Sequence, residues 1–289
     1  MKTLREYISE AEVKKVAIGH FNVSNIEALH GIYNAAKKLN VPVIIGVSEG
    51  EEDFIGRDEV AVLVKMIRER DNYPIFLNAD HHYTFESVKS ALDTGYDAAI
   101  IDAVKLPLAE NIILTKKCVD YAKILSQKEG RDILVEAELG FIGQSSKLLD
   151  SVPEGVSEAT MTKPEDAKTF VEQTGINLLA PSVGNVHGVV KGGNPRLDIE
   201  RIKEIKNVCG VPLVLHGGSG IADVDFTNAI KAGISIIHIN TEIRVAYKEA
   251  LEKYLKENPN EIAPYKFLKP AVDAIEQVVY NRLKLFNNL

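Results

Sequence analysis

Cysteine is scarce in this chain and occurs only at Cys118 and Cys209. The two positions are far apart and do not form the C-x-x-C spacing that zinc-binding and redox-active motifs use. Both lie in predicted helices or at helix ends. We therefore interpret them as reduced side chains that fill space, and we look elsewhere for the functional site.

Long apolar runs and an excess of basic residues are also missing. No stretch approaches the length of a membrane span, and the opening MKTLREYISEAEVKK lacks the apolar centre of a signal peptide. Lys+Arg 34 against Asp+Glu 41 gives a formal net charge of −7, which does not favour non-specific nucleic-acid binding. We expect a cytoplasmic protein with no membrane or nucleic-acid partner, in which an anionic substrate must meet local positive groups.

Short runs of Val, Ile and Leu recur along the 289 residues, separated by helical patterns. This alternation is typical of βα units that build a parallel sheet, and eight such runs predict a closed barrel. We predict an α/β protein, a single (β/α)8 TIM-barrel domain over residues 1–289. The eight predicted strands are residues 16–23, 41–48, 75–80, 98–102, 133–138, 177–182, 211–216 and 235–240.

The intervening segments carry helix signals. Pro164 suits a first helical turn, and Gly95, Gly175, Gly210 and Gly233 suit left-handed caps. The irregular stretch of about 140–162 is long enough to predict a mobile loop that closes over the site. A last helix at about 270–286 should cover the barrel or serve an oligomer interface. Other predicted helices are residues 25–39, 58–70, 84–94, 108–128, 163–174 and 222–232.

Polar residues stand where each predicted strand ends. In a barrel these carboxyl ends converge on one mouth, where barrel enzymes place their active sites. The sequence therefore predicts one site built from many strands. The polar positions are Asn22, Ser48, Asp80, His81, Asp102, Glu136, Glu138, His187, His216, His238 and Asn240.

Three of these residues, His81, His187 and His216, have the composition of a three-histidine metal site with an open coordination position. A single histidine at a strand end is more often structural, so the prediction depends on the three together. Asp80 directly precedes His81, and on a straight strand the two side chains would point in opposite directions. Asp80 can be a proton donor or acceptor near the metal, or the N-cap of the helix that starts near Thr84.

Two glycine-containing segments and one cation are candidates for phosphate binding. The turn Gly217-Gly218-Ser219-Gly220 offers backbone N–H groups after the seventh strand, although a tight turn alone would also explain its glycines. Lys191 follows His187 and Gly188 and is either a ligand contact or a solvated charge. Arg244 follows the eighth strand and could clamp a second phosphate or pair with a surface glutamate.

At these residues the sequence resembles the class II, metal-dependent ketose-bisphosphate aldolases, which act on fructose or tagatose 1,6-bisphosphate. The resemblance covers nearly the whole chain. It is carried, in family order, by GHFNVSNIEAL, PVIIGVSEG, ADH at 79–81, LVEAELG, VGNVHGVVKGG, VPLVLHGGSG and INTEIR.

The resemblance implies zinc, or another divalent metal, bound by His81, His187 and His216, with Asp80 exchanging a proton with the C4 hydroxyl. Cleavage would give dihydroxyacetone phosphate and glyceraldehyde 3-phosphate, as in glycolysis and gluconeogenesis, in a homodimer or homotetramer. Asp102 and Glu138 match a secondary metal site, and Ser48 and Arg244 match contacts to the other phosphate. Triose-phosphate contacts, assisted by a monovalent cation such as Na⁺ or K⁺, match Gly188, Gly217, Gly218, Ser219, His238, Asn240 and Thr241, with Asn22 and Lys191 as further substrate contacts.

Several positions depart from the family pattern. The glutamate expected after the ELG motif is missing from residues 141–147, and Glu154 is the candidate replacement. His238 replaces a usual asparagine, Asn78 a common histidine, and His82 a common small residue. Three alternatives stay open: tagatose 1,6-bisphosphate as substrate, another phosphorylated substrate, and a non-enzymatic sensor or partner subunit that binds metal and phosphosugar.

Overall fold

Eight parallel strands close into a barrel in a computed structural model that describes residues 1–143 and 146–289. All eight predicted strands are present, and the predicted (β/α)8 barrel is confirmed. Each strand pairs with its neighbours in parallel register, so their carboxyl ends lie at the same rim. The barrel strands are β1 (Ile18–Asn22), β2 (Val43–Ser48), β3 (Ile75–His82), β4 (Ala98–Ile101), β5 (Leu134–Leu139), β7 (Leu178–Pro181), β9 (Leu213–Leu215) and β10 (Ile234–Ile239).

Two short strands lie outside the barrel, β6 (Leu148–Leu149) and β8 (Val189–Val190), and they pair with each other. Strand β6 belongs to the predicted loop of 140–162, and β8 follows His187. The loop is thus hydrogen-bonded to the segment that carries a predicted metal ligand. The mobility of this loop stays a prediction, and Gln144 and Ser145 within it lie outside the described residues.

The predicted helices are present within one or two residues of their expected ends, and the structure adds α1, α3, α8, α10 and α11. Within the described ranges no helix is long and apolar enough to span a bilayer. The helices are α1 (Leu4–Lys14), α2 (Ile26–Leu39), α3 (Glu49–Ile55), α4 (Arg57–Asp71), α5 (Phe85–Thr94), α6 (Leu108–Glu129), α7 (Pro164–Thr174), α8 (Ile199–Cys209), α9 (Asp223–Ala232), α10 (Thr241–Glu257), α11 (Pro264–Phe267) and α12 (Lys269–Phe286).

Local signals set these boundaries. The Thr84 hydroxyl accepts the Ser87 N–H and caps α5, and Pro164 opens α7 where its missing N–H is not needed. Gly175 and Gly210 follow α7 and α8 in the left-handed conformation that glycine adopts without strain. The capping signals of the sequence therefore act as predicted.

The apolar core has two parts. The larger part lies between the strands and the surrounding helices, and α12 joins it through a stripe of buried residues that packs near α2. This packing places the last helix on the outside of the barrel, and its two predicted roles, covering the barrel and serving an oligomer interface, stay predictions. The smaller part lies inside the barrel, where Leu4, Ile8 and Ala11 of α1 are buried against inward-facing strand residues such as Ile44 and Phe76. Helix α1 therefore closes the end of the barrel opposite the strand carboxyl ends.

Candidate active site

The carboxyl ends of the strands surround a small cleft. Most of the predicted site residues line it, as expected for a barrel whose loops gather at one rim. The lining residues are Asn22, Asp80, His81, Ser146, His187, Gly188, Gly217, Gly218, Ser219, His238, Asn240 and Thr241.

A bend at the end of β3 directs Asp80 and His81 into this cleft together. His81 has a φ of 50°, a left-handed conformation that is uncommon for a residue other than glycine, and the pairing of β3 with β4 shifts register between Ala79 and His82. This backbone turn removes the alternation that would separate the two side chains on a straight strand. Strained backbone of this kind concentrates at functional sites.

The three predicted metal ligands come together with Glu138. One ligand atom from each of His81, His187, His216 and Glu138 lies within 4.8 Å of the others. His187 Nε2 is buried and has no hydrogen-bond partner in the described residues, and the buried Glu138 Oε1 lies 2.8 Å from His216 Nδ1 without a well-aligned hydrogen bond. Since buried polar atoms are seldom left unpaired, and imidazole with carboxylate is a donor set suited to zinc, these residues fit a divalent metal ion.

Two carboxylates orient the histidines from behind. His81 Nδ1 lies 3.1 Å from Asp102 Oδ2, and His216 Nε2 lies 2.7 Å from Glu136 Oε1. Metal-binding histidines usually have such a partner on the second ring nitrogen, because it fixes the tautomer and the ring orientation. The contact of Asp102 gives it this orienting position, and its predicted role as a secondary ligand stays a prediction.

The charges around these histidines shift their proton affinities in opposite directions. Burial alone lowers the pKa of His81, but the attraction of Asp80 and Glu138 and the hydrogen bond to Asp102 outweigh it and raise the pKa to about 9. Burial lowers the pKa of His187 well below its usual value, and the nearby His81 and His216 add to this effect. The carboxylates thus favour positive charge among these histidines, which a bound divalent metal would supply, whereas burial favours the neutral form of His187.

Asp80 is buried beside the metal-ligand cluster. Asn22 Nδ2 donates a hydrogen bond of 2.8 Å to Asp80 Oδ2, whereas Oδ1 has no hydrogen-bond partner in the described residues. Burial raises the pKa of Asp80, but His81 and the contact with His238 lower it well below the usual value. Asp80 is therefore a carboxylate with one oxygen available. Its alternative role as an N-cap is wrong, because Thr84 caps α5.

His238 is part of a stack of imidazole rings. The rings of His20 and His238 are 3.5 Å apart and nearly parallel, and the ring of His216 lies 4.0 Å from His238 on its other side. His238 Nδ1 is 3.5 Å from Asp80 Oδ1, and Asn78 Nδ2 is 3.0 Å from His20 Nε2. His238, which replaces the usual asparagine of the family, therefore lies next to Asp80, the candidate catalytic residue. Asn78 contacts His20 at the other end of the stack.

The glycine-rich turn after β9 holds a fixed shape. The Gly218 N–H bonds to the His238 carbonyl, and the Ser219 hydroxyl accepts the N–H groups of Asn240 and Glu242 at the start of α10. In the described parts of the chain, the N–H groups of Gly217 and Ser219 have no acceptor. Free N–H groups beside a helix N-terminus are a site for an anion such as phosphate.

A substitution at Gly217 tests whether this turn requires glycine. Its φ is 62°, and an added Cβ would lie 2.3 Å from the Val186 carbonyl oxygen. We expect Gly217→Ala to lower the free energy of unfolding by about 1–3 kcal/mol, measured by urea titration. Gly50→Ala is the control, because Gly50 lies in α3 with open space around it, and it should raise stability by about 0.5–1 kcal/mol. Equal effects of the two changes would contradict this prediction.

At the far side of the cleft lie Ser48 and Arg244. Both line a side pocket with Asp80, His81 and Asn240. Their polar groups contact Glu51 of α3, which is buried and was not identified from the sequence. The alternative predicted for Arg244 was pairing with a surface glutamate; the glutamate that it contacts is instead buried at the cleft.

Two predicted residues are not brought to the cleft. Lys191 is on the surface and pairs with Asp150 at 2.7 Å, in agreement with the solvated alternative. Glu154 is exposed in the segment of 140–162 and does not line the cleft. Gln144 and Ser145, which stand where the family glutamate is expected, lie outside the described residues.

The sequence interpretation gave no role to His20, Glu51 or Glu136. Glu136 had a detectable signal, because it precedes Glu138 by two residues on β5 and must face the same side. Glu51 had a weaker one, a glutamate three residues after Ser48 in the pattern of a helix capping box. His20 had no signal beyond its place in an inward-facing strand position.

The barrel, the buried donor set and the anion-binding turn together define a metal-dependent enzyme of the α/β-barrel class. The family model described as fructose-bisphosphate aldolase class-II matches residues 2–289. The chain belongs to this family.

Curated relatives and solved structures agree with this placement. A fructose-bisphosphate aldolase from Geobacillus stearothermophilus is 37% identical over 99% of this chain and 96% of its own length. A fructose-bisphosphate aldolase from Staphylococcus aureus is 36% identical over 98% of this chain and 96% of its own length. The crystal structure of the YdjI aldolase from Escherichia coli K12 superimposes with a TM-score of 0.82 at 33% identity, covering 98% of this chain and 96% of the other.

Proposed function

We propose that this protein catalyses the reversible aldol cleavage of fructose 1,6-bisphosphate to dihydroxyacetone phosphate and glyceraldehyde 3-phosphate. The observation that carries the proposal is the placement of Asp80, with a free carboxylate oxygen, beside the cluster of His81, His187, His216 and Glu138. The relatives named fructose-bisphosphate aldolase support the substrate.

Zinc is the metal we propose, held by His81, His187 and His216 with Glu138 within reach. When bound, it acts as a Lewis acid toward the ketose oxygens and stabilises negative charge on the three-carbon fragment. Asp102 contacts the second ring nitrogen of His81, and Glu136 contacts that of His216, so both rings are held in orientation for the metal. Asp102 and Glu138 remain candidates for a secondary metal position.

Asp80 takes the proton of the C4 hydroxyl. As the C3–C4 bond breaks, C4 becomes the aldehyde carbon and the bonding electrons stay on the three-carbon fragment. Asn22 holds one oxygen of Asp80, so the other oxygen is directed to the substrate. A second proton must then reach C3 of the fragment, and Glu154 is our candidate for delivering it, which requires the exposed segment around it to move toward the cleft.

The phosphate of the three-carbon fragment is proposed to bind the free N–H groups of Gly217 and Ser219 and the N-terminus of α10. Gly188, Gly218, Asn240 and Thr241 line the same part of the cleft. A monovalent cation, Na⁺ or K⁺, would balance charge there. The remaining part of the sugar then extends toward Ser48 and Arg244.

The activity is tested by coupled cleavage assays with fructose and tagatose 1,6-bisphosphates, first with added zinc and then with excess chelator. We expect chelator-sensitive turnover with fructose 1,6-bisphosphate as the preferred epimer. Turnover that survives removal of all divalent metal would contradict the metal-dependent mechanism, and zinc binding without turnover of either sugar would remove the proposed reaction.

We also propose a cytoplasmic homodimer or homotetramer that works in glycolysis and gluconeogenesis. The buried free thiols of Cys118 and Cys209 support a reducing compartment. Light scattering coupled to gel filtration measures the assembly, and a monomeric mass across micromolar concentrations would contradict it.

A further inference from the structure

Glu51 lies at the end of the cleft away from the glycine-rich turn and bonds to three elements of the fold. Its Oε2 accepts hydrogen bonds of 2.9 Å from the Ser48 N–H, the Ser48 hydroxyl and Asn22 Nδ2. Its Oε1 pairs with the Arg244 guanidinium. The carboxylate thus occupies the point where the polar groups of β1, β2 and α10 converge.

A capping role explains only part of this arrangement. The bond from the Ser48 N–H to Glu51 is the return half of a capping box at the start of α3. The bonds from Asn22 and Arg244 come from outside the helix and are not needed to cap it. They place the negative charge of Glu51, whose side chain is 6% exposed, against groups that face the cleft.

The charges at this end of the cleft do not favour a second phosphate. Among the described residues that line the cleft and its two side pockets, Arg244 is the single Lys or Arg. It is paired with a buried carboxylate, and both donors of Ser48 are already directed to the same group. A phosphate dianion here would meet Glu51 at close range and would have to displace it from these donors.

The other end of the cleft has the opposite character. Gly217 and Ser219 offer N–H groups without an acceptor in the described residues, and the N-terminus of α10 adds favourable potential. The cleft therefore provides one well-formed anion site. Sugar hydroxyls suit the far end, since they can donate to Glu51 and accept from Arg244.

We propose that Glu51 is a specificity-determining residue that disfavours a phosphate on the distal carbon and allows cleavage of ketose 1-phosphates whose distal end carries only hydroxyl groups. The inference rests on the proposed aldol function and adds that ketose 1-phosphates are accepted beside fructose 1,6-bisphosphate, because Glu51 reduces the advantage that a distal phosphate would give. Fructose 1-phosphate is the matching probe, because it differs from fructose 1,6-bisphosphate by the distal phosphate alone.

The test compares kcat/KM for the two sugars in the zinc-loaded wild type and in Glu51→Gln. We expect the ratio of kcat/KM, bisphosphate over 1-phosphate, to rise about tenfold or more in Glu51→Gln, chiefly through KM for the bisphosphate. Asp53→Asn is the matched control, since it removes the same charge from an exposed position of α3 and should leave the ratio unchanged.

The outcomes separate the two proposals. A proportional loss of kcat/KM for both sugars in Glu51→Gln, with the ratio constant, would show a structural role and overturn the inference while leaving the aldolase function intact. Absence of turnover with either sugar in the wild type would remove the function and the inference together.

Arg244 offers a second test, and its first comparison does not require replacing a buried residue. If Glu51 neutralises Arg244, Arg244→Met in the wild-type background should change kcat/KM for both sugars by a similar factor. In the Glu51→Gln background the same change should lower kcat/KM for the bisphosphate about tenfold more than for the 1-phosphate. A selective loss for the bisphosphate in the wild-type background would show that Arg244 already binds the distal phosphate and would overturn the proposal.

Discussion

Replacing Asp80 by alanine is expected to lower kcat for sugar cleavage by about 10²–10⁴-fold while zinc stays bound. Asp80 contributes a buried carboxylate with one oxygen free, and the metal-ligand cluster is formed by other side chains. The change therefore removes the proton acceptor for the C4 hydroxyl without removing a ligand. Steady-state kinetics and metal analysis of the same preparation measure both quantities.

Two companion variants sharpen this test. Asp80→Asn keeps the shape of the side chain and its contact with Asn22 and should lose activity to a similar extent, because an amide cannot accept the proton. Asp53→Asn, at an exposed position, should retain wild-type kinetics. Near-normal turnover in either Asp80 variant would remove the role assigned to this residue.

His216→Ala is expected to abolish stoichiometric zinc binding and to lower turnover by at least about 10³-fold. His216 contacts both Glu136 and Glu138, so its loss also leaves two buried carboxylates without their partner. We therefore expect a lower melting temperature as well. Elemental analysis after dialysis, activity and thermal unfolding are the three measurements.

His30→Ala is the control for this variant, because His30 is exposed on α2 and away from the cleft. It should keep zinc, activity and melting temperature. One zinc per chain in purified His216→Ala would contradict the three-histidine assignment, whatever its effect on turnover.

The sequence was sufficient to predict the barrel because strand and helix periods alternate clearly along it. Each predicted strand was found, and short-range signals such as Thr84 and Pro164 set the helix starts. The convergence of His81, His187 and His216 followed from topology alone, since parallel strands end at one rim. The other polar residues at the strand ends could be placed in one cleft for the same reason.

The remaining features depend on interactions that periodicity does not encode. Helix α1 was missed because its apolar residues are few, and their burial becomes evident only once the barrel exists to receive them. A bend at the end of this strand was plausible from the adjacent Asp80 and His81, but the sequence did not show that it arises from a single left-handed residue, His81. The positions of Lys191 and Glu154 depend on how a long irregular segment packs, which is the least predictable part of a chain.

The side chains of α1 that fill the lower barrel also determine how protons reach the site. Leu4, Ile8 and Ala11, with the apolar strand residues they contact, form a water-poor layer beneath the cleft. Asp80 is buried above this layer and lines the cleft and its side pocket, so its route to bulk water lies on the rim side of the barrel. A sugar bound at the rim would cover this route, and we expect the proton that Asp80 accepts to stay with the complex until product leaves.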